Sequence, residues 1–253
     1  MFDRPRVIPC LLIENGGLVK TKQFKNPEYL GDPINAVKIY NEKMVDELCI
    51  LDITKDKSAI EFELLSDIAS EAFMPLSYGG GIKSLEQAKK LYKIGYEKIL
   101  FNRNIIENPV LISEVVQFAG SQSVIASVDV KKSLTGYTCY THNGKQKTTL
   151  SPVETAKRAE ELGVGEILLN SIDRDGMMKG YDLNLIRMIS SEISIPLIVC
   201  GGAGKISDFK YAIDAGADAL GAGSLFVYYG KKRAVLINYP SEMDLIGADV
   251  YKK

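Results

Sequence analysis

Two glycine clusters stand where backbone could cradle an anion, YGGGIKS at 78–84 and CGGAGKIS at 200–207. Each follows a short apolar run and opens an amphipathic one. Backbone without side chains lets several N–H groups point at one anion, and a helix start adds favourable potential. Gly80, Gly81, Gly202 and Gly204 are therefore candidate phosphate ligands; the alternative is a tight turn that merely needs glycine. The next apolar run in each half ends in FNRN (101–104) or AGSLF (222–226), placing Asn102 and Ser224 to complete the two cradles. A molecule with a phosphate at each end would suit such a pair.

Carboxylates at the ends of apolar runs are the second group able to do chemistry, as general acids or bases. Asp52, Asp129, Asp173 and Asp175 qualify. Asp129 is the preferred catalytic candidate because SVIASV delivers it to the end of a strand; the alternative is a carboxylate capping a turn. Asp52, in LDITKD, is better read as bonding its own loop. Asp173 and Asp175 lie in a loose-looking loop, SIDRDGMMKG, from which Asp175 is a candidate substrate-binding residue. Lys20, in the long connection after the first strand, either meets a substrate phosphate or is solvated. Arg6, Glu47, Lys98 and Glu166 sit at or near strand starts, where alternating charges either form a ring of salt bridges or pair as ordinary surface groups.

The elements that must position these groups alternate: β-branched runs at 6–12, 46–52, 75–78, 97–101, 123–129, 165–170, 195–200 and 217–222, with amphipathic stretches between them such as 84–94, 109–118, 153–162 and 206–215. Eight such units predict an α/β chain folded as a closed (β/α)₈ TIM barrel. An open doubly wound sheet usually carries GxGxxG after its first strand, and none occurs here. The connections 14–31 and 131–150 are longer than the rest, the second able to form a hairpin around His142-Asn143-Gly144. Gly79-Gly80-Gly81 recurs as Gly201-Gly202-Ala203, Glu47 as Glu166, and Leu12 aligns with Asp129. The repeat predicts one domain made of two half-barrels, about 1–120 and 121–237, with a tail at 238–253 for which the sequence offers no account.

Composition narrows the functions. The 253 residues are 46% hydrophobic and 25% charged with a net charge of −1, so no field gathers nucleic acid or a membrane surface, and a phosphorylated small molecule is the expected partner. No apolar stretch approaches the length of a membrane span, and the start MFDRPRVIPC lacks a secretory run, so cytoplasm is expected. Four cysteines without paired spacing read as buried reduced thiols, and one histidine, His142 in THNGK, reads as a solvated turn. No metal and no cofactor are expected.

VIPCL, LVK, GDP, DELCILDI, GGGI, AGSQSVIASVD, GEILLNSIDRDG, KGYD, CGGAGK and AGADA resemble the cyclase subunit of imidazole glycerol phosphate synthase over about 230 residues. The resemblance implies a barrel that receives ammonia from a glutaminase docked on its bottom face, through a salt-bridged gate whose four positions match Arg6, Glu47, Lys98 and Glu166. It places Gly81, Asn102, Gly202, Gly204 and Ser224 in the stretches of two phosphate sites, and Asp129 at one of two catalytic aspartates. The other aspartate position holds Leu12, which transfers no proton. Arg103, counted here with the candidate binding residues, replaces a small hydroxyl residue, and Asn170, Met177, Met178 and Cys200 also depart from the pattern. A branch of the family in surface-polysaccharide (lipopolysaccharide) biosynthesis combines these features: ammonia converts an acetamido group of a nucleotide-linked sugar to acetamidino, with an ATP-dependent amidotransferase as further partner. GKKRAVLINYP (230–240) resembles that branch. The expected function is this ammonia-conducting role; the alternatives are the cyclase of histidine biosynthesis and a scaffold that only activates the glutaminase.

Overall fold

Eight parallel strands close on themselves in the computed structural model, which describes residues 4–54, 60–230 and 232–252. In chain order the strands are β1 (Arg6–Glu14), β2 (Gly17–Lys22), β3 (Lys25–Gly31), β4 (Leu48–Asp52), β5 (Leu76–Gly79), β6 (Lys98–Phe101), β7 (Val124–Ser133), β8 (Gly136–Thr141), β9 (Gln146–Lys147), β10 (Glu166–Ser171), β11 (Leu197–Cys200), β12 (Ala219–Ala222), β13 (Tyr228–Tyr229) and β14 (Ala234–Val235). The helices are α1 (Pro33–Glu42), α2 (Phe62–Glu71), α3 (Leu85–Lys93), α4 (Asn104–Glu107), α5 (Pro109–Ala119), α6 (Pro152–Glu161), α7 (Leu183–Ser190), α8 (Ser207–Asp214), α9 (Ser224–Val227) and α10 (Glu242–Gly247). Around the barrel the order is β1, β4, β5, β6, β7, β10, β11, β12, and back to β1. The expected TIM barrel is the fold.

Local chemistry explains where the helices begin. The side chains of Asp32, Ser84, Asn108, Ser151 and Asp182 each accept a hydrogen bond from an amide in the first turn of the helix they precede. Ser151 and Glu154 form a reciprocal capping box, and Pro33, Pro109 and Pro152 occupy first-turn positions where no N–H is needed. Leu91, Ile112, Ala156, Ile189 and Phe209 then bury one face of each helix against the sheet.

Several strand bounds differ from the sequence reading, β4 and β11 starting at Leu48 and Leu197 rather than 46 and 195. β1 runs on to Glu14 and β7 to Ser133 because each continues into an antiparallel hairpin, β1 with β2 and β7 with β8. The connection 14–31 is thus a strand pair, β2 and β3, and 131–150 contains β8 and β9 joined by a turn in which His142 and Asn143 have positive φ. The last barrel strand starts at Ala219 rather than 217. No helix among the described residues is long and apolar enough to cross a membrane, and among them no group of three or more His, Cys, Asp or Glu could hold a metal ion. All four cysteines are buried and unpaired as disulfides.

Candidate active site

Period-two alternation turns every second residue of a barrel strand toward the axis. Arg6, Ile8, Cys10 and Leu12 share the inner face of β1, and Cys49 and Leu51 that of β4, with Glu47 in the same alternation just before its first residue. Ile8, Cys10, Cys49, Leu100, Ile125, Leu168 and Cys200 belong to an interior cluster separate from the layer under the helices, with Leu51 packed against it. One column of inner-face residues thus leads from the bottom of each strand to the mouth.

At the bottom, Arg6, Glu47, Lys98 and Glu166 close a cycle. Arg6 donates to Glu47 Oε2 at 2.5 Å and to Glu166 Oε1 at 2.7 Å, and Lys98 Nζ lies 3.0 Å from Glu47 Oε2 and 3.1 Å from Glu166 Oε2. Glu47 is only 3% exposed at its side chain, which sets this ring apart from surface pairs such as Lys89 with Glu86. Burial opposes the charge on Arg6, but Glu47 and Glu166 outweigh it and hold the guanidinium above its ordinary pKa.

The mouth has two unlike sides. Leu12 is the lateral partner of Leu51 on β1 and β4, and Asp129 is the lateral partner of Asn170 on β7 and β10. β1 and β7 are four strands apart in a ring of eight, as are β4 and β10, so the apolar pair faces the polar pair. Asn102 joins the polar side: its Nδ2 donates to Ser127 O at 2.9 Å and to Asp129 Oδ2 at 3.3 Å. Burial pushes the Asp129 carboxyl up to about 7; the Ser127 hydroxyl, 3.4 Å from Oδ1, pulls the other way, and nearby Asp175 adds to the rise. A carboxyl so poised can give or take a proton near neutrality.

Several predicted site residues are engaged in ways the sequence did not suggest. Asn102, expected to complete the first cradle, turns to Asp129 instead. Lys20 is neither solvated nor free: it is buried with its Nζ 3.0 Å from Asp175 Oδ1, while Thr21 donates to Asp175 Oδ2 at 3.1 Å. Asp175, expected in a loose loop, is 7% exposed, because β2 and its turn lie on that loop, Gln23 N donating to Asp175 O and Gln23 Nε2 to Asp173 O. Asp173 also accepts from Lys132 N. Asp52 accepts from Thr54 N at 3.0 Å, as a loop-bonding carboxylate would. Arg103 Nε is 4.0 Å from Glu107, and His142 Nε2 is 3.6 Å from the same carboxylate, so both sit on a rim cluster.

The glycine clusters carry a packing demand of their own. A Cβ on Gly80 would meet Asp52 O at 2.6 Å, on Gly202 the carbonyl of Gly180 at 2.3 Å, and on Gly204 that of Met178 at 2.4 Å. Gly81 has φ +68°. In the second cluster the amides of Gly204 and Lys205 already donate to Asp208 Oδ2, at 2.9 and 3.2 Å. Ser224 Oγ, by contrast, is buried with no hydrogen-bond partner among the described residues, and so is Asn170 Oδ1.

Sequence reasoning missed Ser127, Leu51 and Asp208. The first two were within reach, two residues before Asp129 and four after Glu47 on the same inner faces. Asp208 follows Gly204 by four residues, the spacing at which a helix-start carboxylate reaches back to preceding amides.

The family profile described as histidine biosynthesis protein matches residues 6–233. A Leptospira interrogans protein provisionally named imidazole glycerol phosphate synthase subunit HisF is 50% identical over 246 residues, 95% of this chain and 97% of its own. A Pseudomonas aeruginosa protein provisionally named subunit hisF2 of the same enzyme is 49% identical, covering 94% and 96%. The imidazole glycerol phosphate synthase subunit HisF of Petrotoga mobilis is 43% identical, covering 88% and 90%.

Proposed function

Because the chain belongs to the histidine biosynthesis protein family, we propose that it is the barrel subunit of a glutamine-dependent synthase of the imidazole glycerol phosphate synthase type. A glutaminase docks at the bottom face, ammonia enters past the ring Arg6, Glu47, Lys98 and Glu166, and nitrogen is used at the mouth beside Asp129. The observation that carries this reading is the part-buried four-charge ring at one end of the barrel whose other end holds Asp129. Between them the interior is lined by Ile8, Leu100, Ile125 and Leu168. Neutral ammonia crosses such a lining at little cost, whereas ammonium would have to shed its hydration. Gly80, Gly81, Gly202 and Ser224, with Arg103 at the rim, hold a phosphorylated small molecule; Gly204 takes part only if Asp208 gives up its amide.

Two reactions at the mouth have separate support. The likeness to named HisF subunits supports the ring-closing reaction of histidine biosynthesis. Leu12 facing Asp129 supports the other, conversion of an acetamido group on a nucleotide-linked sugar to acetamidino with an ATP-dependent amidotransferase: Leu12 and its neighbour Leu51 transfer no proton, but they suit a methyl. The deciding experiment supplies purified protein with the cyclase's ribonucleotide substrate and ammonium salt at alkaline pH, bypassing the glutaminase. Imidazole glycerol phosphate formed at about 1 s⁻¹, an ordinary enzyme rate, establishes the histidine reaction. No product from this chain, with product from Leu12→Asp, establishes that the mouth has left that chemistry.

A further inference from the structure

The C-terminal segment packs against residues that adjoin the ion-pair ring. α10 is held by a capping box in which Ser241 and Asp244 bond reciprocally, and Leu245, Val250 and Tyr251 are buried in the main core. Beyond and before this helix, two tyrosines converge on one carboxylate. Tyr251 donates to Asp46 Oδ2 at 2.8 Å, and the Tyr239 hydroxyl lies 2.9 Å from Val7 O and 3.3 Å from the same Asp46 oxygen. Arg4 stacks over the Tyr251 ring at 3.8 Å, with its Nη2 3.5 Å from Asp46 Oδ1 and its Nη1 3.3 Å from Glu242. Asp46 in turn accepts from Val7 N at 2.9 Å.

Val7 and Asp46 are the chain neighbours of Arg6 and Glu47. The β1 to β4 pairing begins only at Cys10 with Cys49, so at the level of the ring those two strands share no register pairing, and Pro9, which has no N–H, falls within the gap. On β1's other side the pairing with β12 extends down to Arg6. The contact between Val7 N and the Asp46 carboxylate therefore joins β1 to the residues leading into β4, where the sheet does not.

We propose that the C-terminal segment positions the ring: Tyr239, Tyr251 and Arg4 hold Asp46, and Asp46, through Val7 N–H, holds Arg6 and Glu47 in bonding register. Asp46 and the two tyrosines are positioning residues. The inference rests on the proposed function only for what the ring does, since the ring and its clamp are read by a measurement that needs neither partner nor substrate.

That measurement is competitive acetylation of lysines in the full chain by trace acetic anhydride, with Lys98 compared with Lys89 in the same molecule. Tyr239→Phe with Tyr251→Phe removes two hydroxyls and keeps both rings in the core. It is expected to raise Lys98 labelling relative to Lys89 by about fivefold, the effect of one net hydrogen bond, and to speed amide exchange at 6–8 and 46–48. Glu47→Gln, which opens the ring directly, shows the size of a full response. Unchanged Lys98 labelling in the tyrosine variant, with a clear rise in Glu47→Gln, overturns the proposal and leaves the segment as packing alone. If the double variant does not fold, Tyr251→Phe alone and Ser241→Ala, which loosens α10 without touching Asp46, replace it, with a rise of about twofold expected for each; no rise in either overturns the proposal. Failure of the ammonia reading would appear separately, as no nitrogen transfer by the unmodified chain, and would leave the labelling result standing.

Discussion

Asp129 is poised by burial more than by any single neighbour, and that has a consequence for stability as well as for proton transfer. Its pKa rises from 3.8 to about 7 on folding, so the folded state binds its proton more tightly than the unfolded chain does. The stabilising contribution is complete below pH 4, is lost as pH rises through about 7, and above that becomes the cost of a buried charge beside Asp175. Asp129→Asn removes the titration. The variant is expected to gain stability over the parent between pH 4 and 8, by about 2–4 kcal/mol at the upper end; urea unfolding at several pH values checks this, and parallel pH profiles would show that the carboxyl is not buried in this way. The same substitution should lower turnover by about a hundredfold or more if Asp129 moves the proton.

The β2–β3 hairpin and the loop after β10 act as a pair. Lys20 and Asp175 are both buried, at 5% and 10% side-chain exposure, and Thr21 and Gln23 add bonds across the same junction, while Arg233, between β13 and β14, donates to Gly176 O from outside it. An ammonium in such a place needs its counter-ion, because a buried charge left alone costs several kcal/mol. Asp175→Asn should therefore release the hairpin rather than unfold the barrel. Trypsin cleavage after Lys22 or Lys25 is expected to speed up by about tenfold or more, while the exposed pair of Lys157 with Glu192, broken as a control, leaves it unchanged. Since Lys20 was expected either on a substrate phosphate or in water, this docked form also says what must open before that lysine can reach a ligand at the mouth.

Over the whole barrel, the ring at one end and the mouth at the other are tied through strands that run between them, so disturbing the ring disturbs the closure of the sheet. Glu47→Ala would strand Arg6 and Lys98 with a single shared carboxylate, Glu166, and is expected to cost about 3–5 kcal/mol in urea unfolding, whereas Lys89→Ala at an exposed pair costs under about 1 kcal/mol. The barrel was legible in the sequence, with its strands placed except where β1 and β7 run on into hairpins, because alternation of period two and amphipathic spacing are local properties. Arg6 leads by even steps to Leu12, Glu47 to Leu51, Lys98 to Asn102 and Glu166 to Asn170, so the sequence by itself determined which residues share an inner face, and the family resemblance marked Leu12 as standing at an aspartate position. What it left undetermined is which groups meet across the closed ring: Lys20 with Asp175, 155 residues apart, Tyr251 with Asp46, 205 apart, and Asn102 turned to Asp129 rather than to a glycine cluster. Those contacts depend on the circumference, on the loops laid over the mouth and on the tail brought beneath it, and only the tertiary structure, by closing eight strands at once, decides them.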